Sequence, residues 1–212
     1  MPEAVQLSAV DIAGALLALG LLVALLVLLI DTLRTGIAPM PSTARVRARM
    51  LGLVPPDVTG TLFELGSGWG TLSRAIADRF PDTRVVACEV SWVPFLWSAL
   101  RQAVSRRHNL SLQHADLFDA ALANASVVFC YLGPAAMERL AEKLRREAAP
   151  GTLVISNTFG LRGWPHDQVE QIDDLYHMRV YLYRVPDAVA ASAAAGRGAW
   201  AWLRRASRST VG

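Results

Sequence analysis

Three acidic residues, Glu64, Glu89 and Asp116, each stand at the end of a short apolar run. The first feeds a glycine-rich segment, T-L-F-E-L-G-S-G-W-G, over residues 61–70. Gly66, Gly68 and Gly70 permit a tight turn and let bare backbone come close to a ligand. The spacing is G-x-G-x-G after an acid, not the G-x-G-x-x-G of dinucleotide pyrophosphate sites. A carboxylate just before the turn suits a cationic ligand and opposes a pyrophosphate, which disfavours a nicotinamide enzyme. The three acids together suit a nucleoside carrying a cationic amino-acid arm. Glu64 can hold an ammonium, Glu89 can accept from a ribose diol, and Asp116 can accept from an exocyclic adenine amine.

The surrounding pattern supplies the elements to position them. Leu62 and Phe63 lead into Glu64, and an apolar stripe of Leu72, Ala75, Ile76 and Phe80 predicts a helix over 71–80. Arg84–Val90 is nearly continuous in apolar residues, as expected of a parallel strand buried on both faces. A helix is expected over 91–105, with Trp92, Phe95, Leu96, Ala99, Leu100 and Ala103 facing inward. Further strands are expected at Leu110–His114, Val127–Leu132 and Thr152–Thr158, with a helix opening at Gly133-Pro134. A last strand, His177–Val185, should lie at the far side of the sheet. This alternation predicts an α/β fold: a Rossmann-like, open, mostly parallel sheet with helices on both faces. Ligands of such sheets bind beyond the carboxyl ends of the strands, where the three acids fall.

Ahead of this unit, Ile12–Ile30 is apolar throughout. As a helix it would be roughly 28 Å long, about the hydrocarbon thickness of a bilayer. Glu3 and Asp11 before the run, and Asp-Thr-Leu-Arg after it, favour a retained transmembrane helix over a cleaved signal. Arg34, Arg45, Arg47 and Arg49 follow the span, which puts the C-terminal side in the cytosol of an inner (cytoplasmic) membrane. Three regions are therefore expected: an anchor (1–35), a catalytic domain (36–186) that begins with a Pro-containing linker, and a basic Ala/Arg/Trp tail (187–212). The tail holds four Arg against one Asp, the whole of the net charge of +3. The body is then neutral, and a nucleic-acid partner is not expected. Cys88 and Cys130 fall inside apolar strand patterns, and the four His residues lack ligand spacing, so no metal is expected.

The order E-L-G-S-G-x-G, a strand-end Glu, then Ala115-Asp116-Leu117 resembles class I S-adenosylmethionine-dependent methyltransferases. More narrowly, the chain is similar to the small membrane-anchored protein-lysine methyltransferases that modify the ATP synthase c-subunit and the adenine nucleotide translocase. That likeness runs from about Ala38 to Trp164 and includes Tyr131-Leu132-Gly133-Pro134 and Phe159…Gly163-Trp164-Pro165. Trp69 departs from it, standing where the family usually has Asp; the linker prolines, at Pro39 and Pro41, are also spaced differently. The resemblance implies S-adenosylmethionine bound by Glu64, Gly66, Ser67, Gly68, Gly70, Glu89, Asp116 and Leu117.

A lysine acceptor must lose its proton before it can attack. Tyr131 is the candidate catalytic residue, lining the acceptor pocket and accepting a hydrogen bond from the amine, with Phe159 and Trp164 as walls. The expected acceptor is a lysine of a membrane-associated protein. A lipid, a quinone-like or other small molecule is the alternative acceptor, and a non-catalytic scaffold is the reading from outside the enzymes.

Overall fold

The computed structural model describes residues 8–36, 40–173 and 177–187. The basic tail from residue 188 onward and the linker residues 37–39 lie outside the described residues.

Helix α1 (Ala9–Thr35) starts at a capping box, with the Ser8 side chain accepting from Asp11 N–H and the Asp11 carboxylate answering at the Ser8 backbone. It ends at Gly36, whose φ of 73° stops the helix. This helix is long and apolar enough to cross a bilayer. Helix α2 (Ala44–Gly52) is capped by Thr43, which accepts from Val46 N–H.

A seven-stranded sheet follows: β1 (Thr61–Leu65), β2 (Arg84–Glu89), β3 (Leu110–His114), β4 (Ala125–Cys130), β5 (Leu153–Asn157), β6 (Gln168–Gln171) and β7 (Arg179–Arg184). Helices α3 (Thr71–Arg79), α4 (Trp92–Val104) and α5 (Pro134–Glu147) connect them. The strand order is β3-β2-β1-β4-β5-β7-β6, with the first five parallel and β7 antiparallel to both β5 and β6. The mostly parallel Rossmann-like sheet is thus as expected. The order reverses between β1 and β4, and that switch point is where such folds open a crevice.

The strands read as continuous apolar runs because both faces are covered. Leu62, Val85, Ala87, Val127, Phe129 and Ile155 pack with α2 and α3. Their sequence neighbours Phe63, Val86, Cys88, Val128, Cys130 and Val154 pack with Met137, Leu140 and Leu144 of α5 on the other face.

The last strand, β7, lies at the far side of the sheet as expected, with one further strand outside it: β6, the polar segment Q-V-E-Q, which is tied to α2 by an Arg49–Glu170 ion pair. Polar short strands carry little apolar alternation, so nothing in its periodicity announced it. Helix α4 is turned the other way from its expected orientation. Pro94 and Ser98 are its buried residues, whereas Trp92, Leu96, Trp97, Leu100 and Val104 are exposed. The reason is steric. Ser98 Oγ sits 2.6 Å from where a Cβ on Gly70 would be, and it donates to Gly68 O at 3.1 Å. Only a small side chain fits that contact, so the bulky residues stay outside.

Beyond β5 the chain is held by Tyr183, 2% exposed, whose hydroxyl accepts from Leu161 N–H at 2.9 Å. Removing that acceptor leaves a buried N–H unsatisfied. Tyr183→Phe should cost about 1–2 kcal/mol in denaturant unfolding without altering the far-ultraviolet circular dichroism.

Candidate active site

A cavity of about 360 Å³ opens at the switch point, lined by the glycine turn, the ends of β1, β2 and β4, and the start of α5. Its size is that of a small-molecule site. Glu64, Gly66, Ser67, Gly68, Glu89, Asp116, Leu117 and Tyr131 all line it. The sequence therefore named residues from four separate segments that the fold brings to one chamber.

The turn is shaped by backbone bonds before any ligand enters. Gly66 N–H and Ser67 N–H both donate to Cys88 O, at 3.0 and 2.9 Å. Glu89, at the end of β2, accepts from Gly68 N–H at 2.6 Å and from Ser91 N–H at 2.8 Å, one through each carboxylate oxygen. A carboxylate has about four acceptor positions, so two remain for a diol. Gly66 and Gly68 have φ of 78° and 52°, a region costly for other residues. A Cβ on Gly66 would come 2.9 Å from Leu132, whereas one on Gly68 would meet nothing within 4 Å. Gly68 is thus where bare backbone faces the open chamber. Gly70 stands behind it, capping α3 against Ser98, and does not line the cavity.

Glu64 is the electrostatic anomaly. It is only 4% exposed, and among the described residues its Oε2 has no hydrogen-bond partner. Burial pushes its carboxyl up to about 8, with Glu89's charge adding to the rise. Ser73 pulls the other way from beside it, although neither Ser73 Oγ nor Glu64 Oε2 has a well-formed hydrogen bond. A buried carboxyl in this state is neutral near pH 7, and a cationic group brought against it would favour its ionised form.

Asp116 Oδ1 accepts from Phe118 N–H at 2.9 Å, capping a short 3₁₀ turn at Leu117–Asp119. The Arg139 guanidinium lies 3.7 Å over the Phe118 ring, and both residues line the cavity. At the opposite wall, Tyr131 stacks on Phe159 with ring centres 6.4 Å apart. Phe159 therefore supports the wall from behind. Trp164 does not line the cavity: it is buried in the core, edge-on to Tyr183 and beneath the Arg145 guanidinium. Cys130 reaches the cavity, but burial pushes its thiol up to about 12, so it offers no thiolate nucleophile. Among the described residues no group of three or more His, Cys, Asp and Glu is placed to hold a metal.

Several lining residues were not expected at the site. Thr32 and Arg34, at the end of α1, form part of the wall, as do Met40, Pro41 and Ser42 of the linker. Ser42 is held by Asn157, buried at the end of β5, whose Nδ2 donates to Ser42 Oγ at 3.2 Å. A Pro-bounded Ser next to an anchor carries no spacing signal for a partner 115 residues away. The wall at α1 likewise needs a three-dimensional contact to be seen.

The profile of the ANTKMT methyltransferase domain matches residues 64–168, which start at Glu64 and end in β6. A protein-lysine N-methyltransferase of Saccharolobus islandicus (strain REY15A) is 28% identical over 152 residues, covering 68% of this chain and 91% of that protein. An RNA methyltransferase from Salinibacter ruber, solved in complex with S-adenosyl-L-homocysteine, is 28% identical with a TM-score of 0.62. It covers 70% of this chain and 95% of its own. A precorrin-6y C5,15-methyltransferase from Geobacter metallireducens GS-15, 14% identical with a TM-score of 0.57 over 69% of this chain and 90% of that one, shares the fold. With its glycine turn, strand-end acids and switch-point chamber, the chain is similar to the ANTKMT methyltransferase domain over residues 64–168 and is a class I S-adenosylmethionine-dependent methyltransferase.

Proposed function

We propose that this enzyme is anchored in a membrane by α1 and N-methylates a lysine of a membrane-associated protein from the cytosolic side. The observation that carries the reading is one chamber lined both by the glycine turn and by Thr32 and Arg34 at the end of the apolar helix. The likeness to a protein-lysine N-methyltransferase supports the acceptor class, and the arginines after the span, Arg34, Arg45, Arg47 and Arg49, support the orientation.

The chamber fits the cofactor. The buried, unpartnered Glu64 Oε2 asks for a cationic partner, and the open space at Gly68 leaves room for a ligand against backbone. Glu64 would hold the amino-acid ammonium, Glu89 the ribose diol and Asp116 the adenine amine, with Gly66, Ser67, Gly68 and Leu117 as the surrounding cradle. When bound, S-adenosylmethionine supplies an electrophilic methyl group on a sulfonium. The protein's own part is to align a neutral amine and exclude water. An acceptor lysine passing Met40 and Val90 enters a largely apolar wall, which favours loss of its proton to solvent. The Tyr131 oxygen then accepts from the remaining N–H and fixes the direction of the lone pair.

Three outcomes test this. Membranes incubated with methyl-labelled S-adenosylmethionine and the enzyme should acquire label in a protein band as methyl-lysine. Label confined to the lipid extract would replace lysine by a lipid acceptor. Tyr131→Phe should lower turnover about tenfold to a hundredfold and leave S-adenosylhomocysteine affinity unchanged. An unchanged rate would reduce Tyr131 to packing.

The third concerns pH. The folded Glu64 pKa of about 8 lies above its ordinary 4.5. Its contribution to the stability of the ligand-free protein is therefore present below about 4.5 and lost as pH rises through about 8. A cation that requires ionised Glu64 should bind about tenfold more tightly per pH unit as pH rises towards about 8, and level off above it. Calorimetry in buffers of differing ionisation enthalpy should find close to one proton released per ligand. Glu64→Gln should flatten that profile.

A further inference from the structure

Among the described residues, helix α4 presents an apolar face that is left largely exposed. At about 100° per residue, Trp92, Leu96, Trp97, Leu100 and Val104 fall within an arc of roughly 140°, opposite the buried Pro94 and Ser98. Leu96 and Leu100 are 56% and 57% exposed, and Val104 is 80% exposed. This is an amphipathic helix turned inside out. Among the described residues, the other large apolar side chains exposed outside α1 are Met40 and Val90, which border the chamber, and Val169 on β6.

The patch adjoins α1. The two helices are in contact, and the partly covered positions on α1 are Ala24, Val27, Leu28, Asp31 and Thr32, one stripe on its C-terminal half. From Ala9 to Ala24 the helix rises about 24 Å, short of the roughly 30 Å of a hydrocarbon core. A bilayer that stopped before α4 would leave Leu25, Leu26, Leu29 and Ile30, all exposed, in water. A bilayer deep enough to cover them meets α4. The chemistry of the helix agrees. Two tryptophans suit the headgroup level, and Arg106, exposed just past the end of α4, suits an anionic headgroup.

We propose that α4 is a second membrane contact, lying in the headgroup–acyl boundary of an anionic bilayer with Leu96, Leu100 and Val104 inserted. The proposal rests on reading α1 as a span. It adds a fixed orientation: anchored at one line, the domain can swivel, but anchored also along α4 it holds the chamber's rim at Met40 and Val90 against the membrane surface. An acceptor side chain then reaches the chamber only from a narrow depth at the interface.

Site-directed nitroxide labelling of the 212-residue chain in bilayers of phosphatidylcholine and phosphatidylglycerol tests this. Leu96→Cys, Leu100→Cys and Val104→Cys report on α4, Leu22→Cys on the anchor, and Glu142→Cys on an aqueous surface. The resident Cys88 and Cys130 are 1% exposed, with thiols pushed up to about 11 and about 12, so they resist labelling. The expected result is an oxygen-to-nickel-chelate accessibility ratio several-fold higher at the three α4 positions than at position 142, as at position 22. Labels on α4 as accessible to the nickel chelate as position 142, with position 22 shielded, overturn the proposal and leave the anchor intact. Labels shielded from both oxygen and chelate overturn it in favour of a protein cover, a second copy or the chain's own tail. An aqueous label at position 22 refutes the span, while the α4 positions still decide the bilayer contact on their own.

Discussion

The Glu89 carboxylate carries the architecture of this site. It sits at the end of β2 and is almost wholly buried, yet it is satisfied by two backbone N–H groups, one in the glycine turn and one at the start of α4. A charged acceptor of this kind makes stronger hydrogen bonds than a neutral one. It fixes the distance between the two loops that follow β1 and β2. Without it, a turn of three glycines in left-handed backbone would have little to choose one conformation over another. The same group lines the chamber, so one side chain both supports the turn and offers its remaining lone pairs to whatever enters.

Glu64 makes a complementary arrangement. The strand that carries it is covered on both faces, so its carboxyl is nearly buried at the chamber wall, and among the described residues no side chain neutralises Oε2. Holding such a group is a cost to the empty protein and a source of selectivity for a cation. The two acids, 25 residues apart in sequence, therefore divide their labour: Glu89 is tied down by backbone, and Glu64 is left short of a partner.

Most of this site was legible because its signals are local. An acid before alternating glycines, and acids at the ends of the next two apolar runs, survive as short strings, and the parallel sheet brings equivalent strand ends to one side. What escaped has no local string. The apolar stripe of α4 was visible, but a stripe states only that a helix has two faces; which one meets the sheet was decided by the fit of Ser98 against Gly70. Strand β6 is too short and polar for alternation to register. The Ser42–Asn157 bond and the wall supplied by Thr32 and Arg34 depend on how distant segments meet. Trp164 illustrates the reverse error: it belongs to a motif near the chamber in sequence, yet its ring packs in the core on Tyr183.

Because the last turn of α1 supplies part of the chamber's wall, cutting the chain before the catalytic domain does more than release it. A fragment beginning after Gly36 keeps every acid and glycine of the nucleoside cradle but lacks Thr32 and Arg34 on one side of the opening. Such a fragment is a wider-mouthed vessel than its parent. The apolar helix and the mouth of the chamber thus share residues, so removing the helix also reshapes the opening.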